Sequence, residues 1–293
     1  MERTVFDPSG FTSSWEHIRL LSDTSRNSAL IALLSRHARG NRVLEAGCGT
    51  GLLSCIAARM GAKEVYAVEP TVQADLAEQL ARDNGLSQVQ VLHSRLEDLE
   101  PRPVELAFSE LCNADPFYEG VISVSTAARR WLVSDGILAP SRLRVFAALI
   151  RSTGSAMELR SAQRQLRELE QQHNLKLGAL CETLGGVGPY VYTGFASPVG
   201  PPVSIFDVQL GLEGLPVGRT VELLASQPGP VSGVMLWFEA ELDDNLMLHN
   251  RPGSENHWGQ QIFAFPTEIG LRAGGGLAFR FALSGRTVTL ESA

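Results

Sequence analysis

Apolar positions over the first 140 residues follow two periods. Residues 42–46, 65–68, 89–92 and 104–108 are short runs rich in valine, leucine and alanine with little polar alternation, a pattern that predicts strands buried on both faces. Between them, residues 52–60 and 73–83 carry apolar side chains at helical spacing, closed by Gly61 and by Asn84-Gly85. A longer helical pattern covers residues 12–38 through Leu20, Leu21, Leu30, Ile31, Leu33 and Leu34, with Ser25 or Asn27 as a break or cap. Strands alternating with helices at this spacing predict an α/β unit around a parallel sheet. Ligands in such folds bind beyond the carboxyl ends of the strands. Glu45, Glu69 and Glu110 all fall at or just past such ends.

The pattern changes after Pro140. Residues 143–149 read as a strand, 156–172 as a polar helix and 185–202 as a Gly/Pro-rich loop. From Val203 onward, strand-like runs at 204–210, 221–224, 233–242, 261–265, 277–283 and 287–291 alternate with turns, which predicts an antiparallel barrel or sandwich. Two domains are therefore expected, 1–140 and 141–293.

Composition adds exclusions. The chain has 293 residues, 44% hydrophobic and 19% charged, with a formal net charge of −7, which suits a globular fold and argues against nucleic acid as partner. Cys48, Cys55, Cys112 and Cys181 have neither zinc-site nor disulfide-framework spacing. No apolar run reaches the roughly 18 residues of a membrane span, and no basic, apolar leader opens the sequence. No metal, no membrane association and a reducing cytoplasm are the expectations.

Two constellations carry chemistry. Glu45-x-Gly47-x-Gly49-x-Gly51 lies between a strand and a helix. Glycines there let the backbone turn tightly and approach a ligand. Glu69, about twenty residues on, is placed for a pair of ribose hydroxyls. A dinucleotide site wants a further glycine three positions after the second, whereas Gly51-Leu52 follows here. Glu45 would repel a pyrophosphate but suits the cationic methionine end of S-adenosylmethionine. The second constellation is SELCNADPFYE, in which Glu110 and Glu119 bracket a loop after a sheet strand. Two carboxylates can grip the flat, five-donor guanidinium from different edges. Asn256-His257-Trp258 stands apart in the second domain.

Together these segments resemble the protein arginine methyltransferase family. VLEAGCGTGLLSCIAARMGAKEVYAVE resembles its cofactor loop through the ribose-binding acid, SELCNADPFYE its double-glutamate loop, and NHWGQQIF its threonine–histidine–tryptophan loop with Asn256 in place of threonine. HIRLLSDTSRN resembles the cofactor-covering helix, placing His17, Asp23 and Arg26 on matching positions, and SRLED the adenine-binding stretch with Leu96 and Glu97. The resemblance implies a Rossmann-like, seven-stranded methyltransferase domain followed by an antiparallel β-barrel. A helical arm around residues 156–203, with Leu175, Leu177, Leu180 and Leu184 as apolar contacts, would build a homodimer. It implies S-adenosyl-L-methionine as cofactor and S-adenosyl-L-homocysteine as product. His17, Arg26, Glu45, Gly47, Gly49, Gly51, Glu69, Leu96 and Glu97 would hold the cofactor. Glu110 and Glu119 would clamp the acceptor, His257 with Asp23 would relay a proton, and Trp258 would wall the acceptor channel. The family's aromatic start is reduced to Phe11 in DPSGF, and Val121 and Leu20 occupy positions that influence how many methyl groups are added. A compact chain without a recognition domain favours free L-arginine or a small guanidino metabolite over arginine in proteins. A non-catalytic dimeric scaffold and a methyltransferase for another amine are the remaining alternatives.

Overall fold

The computed structural model describes residues 20–151, 154–177, 190–194, 196–212, 214–254 and 256–293. Helix α1 (Thr24–His37) precedes a β/α series: β1 (Arg42–Ala46), α2 (Leu52–Arg59), β2 (Glu64–Val68), α3 (Gln73–Asp83), β3 (Val89–Leu92), β4 (Val104–Ser109), α4 (Val121–Arg129) and β5 (Leu132–Ala139). The strands form one parallel sheet in the order β3-β2-β1-β4-β5. Val43, Leu44 and Ala46 of β1 and Leu106, Ala107 and Phe108 of β4 are all buried, as expected for strands covered on both faces. The order reverses between β1 and β4, so a crevice opens beyond their carboxyl ends. Five strands make this sheet among the described residues, where the family resemblance implied seven. The chain passes from β5 into antiparallel structure through the cis Ala139–Pro140 bond.

The remainder is antiparallel. Strands β6 (Arg142–Ile150), β7 (Tyr190–Gly194), β8 (Val203–Gln209), β10 (Gly229–Asp243), β11 (Leu246–His249) and β12 (Gln260–Leu271) form one sheet, ordered β7-β12-β10-β6-β8 with β11 on β10. Strands β9 (Arg219–Leu224), β13 (Gly276–Ser284) and β14 (Thr287–Ser292) form the other. The expected barrel is thus two sheets around a shared interior that includes Val145, Phe206, Val221, Phe238, Phe265, Phe279 and Phe281. The polar helix appears as α5 (Gly154–His173). The expected arm region is only partly helical, because β7 within it pairs with β12. Leu175 is exposed, while Leu180 and Leu184 lie outside the described residues.

Buried and half-buried polar contacts join the two parts. After β4, the Asp115 carboxylate accepts from Val288 N of β14 at 2.9 Å and from Gln261 Nε2 of β12 at 3.2 Å, and its other oxygen accepts from Phe117 N at 3.3 Å. At the end of α1, His37 Nε2 lies 2.8 Å from Asp243 of β10. Asp115 therefore locks the loop carrying Glu110 and Glu119 onto the second domain. Asp115→Ala strands two buried N–H donors and the Gln261 amide, and is expected to lower stability by about 2–3 kcal/mol. The check is a lower urea midpoint at unchanged slope. A midpoint equal to wild type would mean that this link adds nothing to the fold.

Candidate active site

The crevice beyond β1, β2 and β4 holds a cavity of about 590 Å³. One wall is the glycine loop. Gly47, Gly49 and Gly51 have φ of 78°, 52° and 77°, conformations that L side chains rarely adopt. At Gly51 a Cβ would also lie 2.8 Å from Ala77 Cβ and 3.0 Å from its Cα, so glycine lets α3 pack against the start of α2. Gly47 N and Cys48 N donate to Val68 O at 2.8 and 3.0 Å, which fixes the loop to the end of β2.

Two carboxylates flank the loop. Glu69 accepts from Gly49 N at 2.9 Å and Thr71 N at 3.0 Å, one on each oxygen. A carboxylate offers about four lone-pair sites, so capacity remains for two hydroxyls. Glu45 is buried and accepts from the Ser54 hydroxyl. Burial pushes its carboxyl up to about 8, with Ser54 and Arg26 pulling the other way. Leu96 and Glu97, in a short 3-10 turn, line the far end of the cleft, as do Thr71 and Gln73. Gln73 Oε1 is buried without a hydrogen-bond partner among the described residues, a marker of a site shaped for a polar ligand. Crowded glycines, a carboxylate with spare lone pairs and an orphaned amide oxygen fit an elongated ligand with hydroxyls and a cationic end.

The acids after β4 face the same cavity. Arg26 Nε donates to Glu110 Oε2 at 2.5 Å, and both side chains are nearly inaccessible, at 6% and 3% exposure. Cys112 N donates to the other Glu110 oxygen at 3.2 Å. Glu119 receives only the Asn113 amide, at 3.0 Å, among its described contacts. Burial, and then the neighbouring Glu110 carboxylate, push Glu119 up to about 8, against the pull of Asn113 and Arg26. One acid is thus paired with an arginine, and the other has no cationic partner among the described residues.

Asp23 and His257 meet although 234 positions separate them. Asp23 caps α1, accepting from Arg26 N at 2.9 Å, while its other oxygen accepts from His257 N at 2.9 Å and lies 2.8 Å from His257 Nδ1. A carboxylate only accepts, so Nδ1 carries the proton. Burial alone would raise Asp23, but these hydrogen bonds outweigh it and hold the carboxyl below its usual range. The His257 loop is itself fixed by buried Asn250, which accepts from Phe238 N and donates to Gly259 O, both at 2.6 Å.

The structure gathers Arg26, Glu45, Gly47, Gly49, Glu69, Leu96, Glu97, Glu110 and Glu119 around one cavity. Gly51 sits just behind it at the start of α2. Asp23 and His257 are not among the residues lining the cavity; they brace the helix that carries Arg26. Trp258, expected to wall the acceptor channel, is not among the residues lining this cavity. It is buried in the interior of the second domain, edge-on to Phe238 with ring centroids 5.2 Å apart, because its loop is drawn inward at Asn250. His17 lies outside the described residues. Thr71, Gln73, Leu111 and Arg286 line the cavity without having been singled out in the sequence. Thr71, Gln73 and Arg286 belong to no motif with a readable spacing, while Leu111 lies within the double-glutamate segment without carrying its charge.

Comparison with known proteins gives this site its context. A family profile described as Methyltransferase domain matches residues 43–136. A Trypanosoma brucei PRMT1 enzyme–prozyme complex with AdoHcy shares the fold, with a TM-score of 0.75 at 21% identity over 94% of this chain and 90% of that one. The Arabidopsis thaliana probable protein arginine N-methyltransferase 6 is 37% identical over 46% of this chain but only 32% of its own length. The arginine N(omega)-methyltransferase of Streptomyces achromogenes subsp. streptozoticus is 30% identical over 94% of this chain and 78% of its own length. An alignment of that extent, carried by a methyltransferase domain, establishes that the chain belongs to the arginine N-methyltransferase family of S-adenosylmethionine-dependent enzymes.

Proposed function

We propose that this protein methylates the guanidino group of free L-arginine or of a small guanidino metabolite, using S-adenosyl-L-methionine and releasing S-adenosyl-L-homocysteine. The carrying observation is the pair Glu110 and Glu119 facing the cavity that also contains the glycine loop and Glu69. Protein arginine is the second reading. The free acceptor is preferred because the relative aligned along nearly the whole chain is an arginine N(omega)-methyltransferase, whereas the plant protein arginine methyltransferase aligns over less than half of it. The chain is proposed to work as a homodimer, with α5 and the segment after it as the arm; Leu169 and Leu175 there are 43% and 56% exposed.

Glu69 would hold the ribose hydroxyls, Leu96 and Glu97 the adenine, and the backbone of Gly47, Gly49 and Gly51 the methionine end. Glu45 would ionise when the cationic end arrives. Arg26 has N–H donors beyond the one on Glu110, which suit the carboxylate of the methionine end. When bound, S-adenosylmethionine supplies a sulfonium methyl that a guanidino nitrogen can displace in line.

The protein supplies position and charge. A guanidinium has a pKa above 12, so its deprotonation before attack is unfavourable. Glu110 and Glu119 draw its positive charge toward the nitrogens they touch, and the remaining nitrogen gains nucleophilicity. Preorganised carboxylates in a low-dielectric cleft make this effective. Once the carbon–nitrogen bond has formed, Glu119 is the group placed to take the surplus proton. The Asp23–His257 pair acts as a positioning device, holding α1 so that Arg26 keeps Glu110 paired and aimed.

Glu119→Gln preserves shape and removes the charge. It is expected to lower kcat/KM for the acceptor about 10²-fold or more, with cofactor affinity little changed. Near-normal turnover in steady-state assays would remove the two-carboxylate mechanism. A pH profile gives a second check. Glu119 is held protonated below about 8 in the unliganded protein and must ionise to grip a cation. The kcat/KM for the acceptor should therefore rise with pH and level off above this value. The limb should vanish in Glu119→Gln, and a flat wild-type profile across the same range would contradict the assignment.

A further inference from the structure

We infer that Arg286, in the turn between β13 and β14, binds the α-carboxylate of a free amino-acid acceptor and thereby selects L-arginine over arginine within a peptide. This rests on the reading of the site as a guanidine methyltransferase. Arg286 comes from the second domain, yet it lines the same cavity as Glu110 and Glu119. Its guanidinium lies over the residue that follows Glu119: a Cβ at Gly120 would come 2.9 Å from Arg286 Cζ and 3.0 Å from Nη1. Gly120 has φ of 85° and opens α4, so the missing side chain makes room for Arg286 beside the acceptor loop. The turn is held there by the Asp115 bond to Val288 N, two residues on.

Among the described residues Arg286 forms no hydrogen bond or ion pair, unlike Arg26, Arg42, Arg142 and Arg251. A cation in that position opposes the guanidinium end of an acceptor and any cationic peptide around it. It suits an anion at the other end of a short aliphatic chain. Adjacent Cα atoms are about 3.8 Å apart, and the six bonds from guanidino carbon to α-carboxyl carbon span about 7 Å when extended. One arginine molecule is thus long enough to bridge groups on different walls of the cavity that the two acids and Arg286 share. A charge-assisted, bidentate contact with a carboxylate is the chemistry arginine performs best.

The test compares kcat/KM for L-arginine, for agmatine (the same molecule without its carboxylate) and for a capped Arg-Gly peptide, using the full chain and labelled S-adenosylmethionine. Wild type should prefer L-arginine over both by about 10- to 100-fold. Arg286→Gln should cut the preference over agmatine at least tenfold, chiefly through the KM of L-arginine, and Arg286→Glu should reverse it. Cofactor affinity and melting temperature report that both variants are folded. An unchanged L-arginine-to-agmatine ratio in Arg286→Gln, or a wild-type preference for the peptide, overturns the inference while leaving guanidine methylation standing. Absence of methyl transfer to all three acceptors by wild type overturns the underlying reading, and this inference with it.

Discussion

Two carboxylates brought close in a sheltered cleft repel each other, and the way this is resolved organises the molecule. Arg26 neutralises Glu110 at 2.5 Å. Among the described residues Glu119 receives only the dipole of Asn113, and burial beside Glu110 pushes it to about 8. Burying a carboxylate without a partner is costly, and such a group holds its proton until a cation arrives. A guanidinium meets that requirement in shape as well as charge. Under the proposed function, this pair of carboxylates is the acceptor site in its resting protonation state.

Both domains maintain that arrangement. The parallel sheet sets Glu45 and Glu110 at the ends of neighbouring strands, where the strand order reverses. Among the described residues the antiparallel part contributes no acid to the cavity wall, but it fixes what does: Val288 and Gln261 hold Asp115 in the loop after β4, and His257 holds Asp23 at the cap of α1. Arg26 lies three residues into that helix and receives its position from the cap. A path of hydrogen bonds thus runs from the buried Asn250 network through His257, Asp23 and Arg26 to Glu110. Distant parts of the chain meet in a single electrostatic unit.

Much of this was legible in the sequence where a residue type answers a backbone or charge requirement at fixed spacing. The glycine loop, Glu69, and strands β1 to β4 are of this kind. Helix α4 was not: Val121, Ile122, Val124 and Thr126 are β-branched and weaken the helical signal, and tertiary packing decides the outcome. Strand β5 was hidden by Gly136 and by its half-exposed surface, and β11 by its four-residue length. For Trp258, resemblance conveys which residue follows His257, not which way its ring turns. Gln73 and Arg286 act singly, so only the folded chain brings them to the cavity.

On the proposed function, Glu119 exchanges a proton for a guanidinium. Calorimetry of L-arginine binding to the protein saturated with S-adenosyl-L-homocysteine, run at pH 7 in buffers of different ionisation enthalpy, measures that exchange directly. Release of close to one proton per acceptor bound, declining as pH rises past about 8, is the expected result. Binding with no proton release at pH 7 would exclude that exchange.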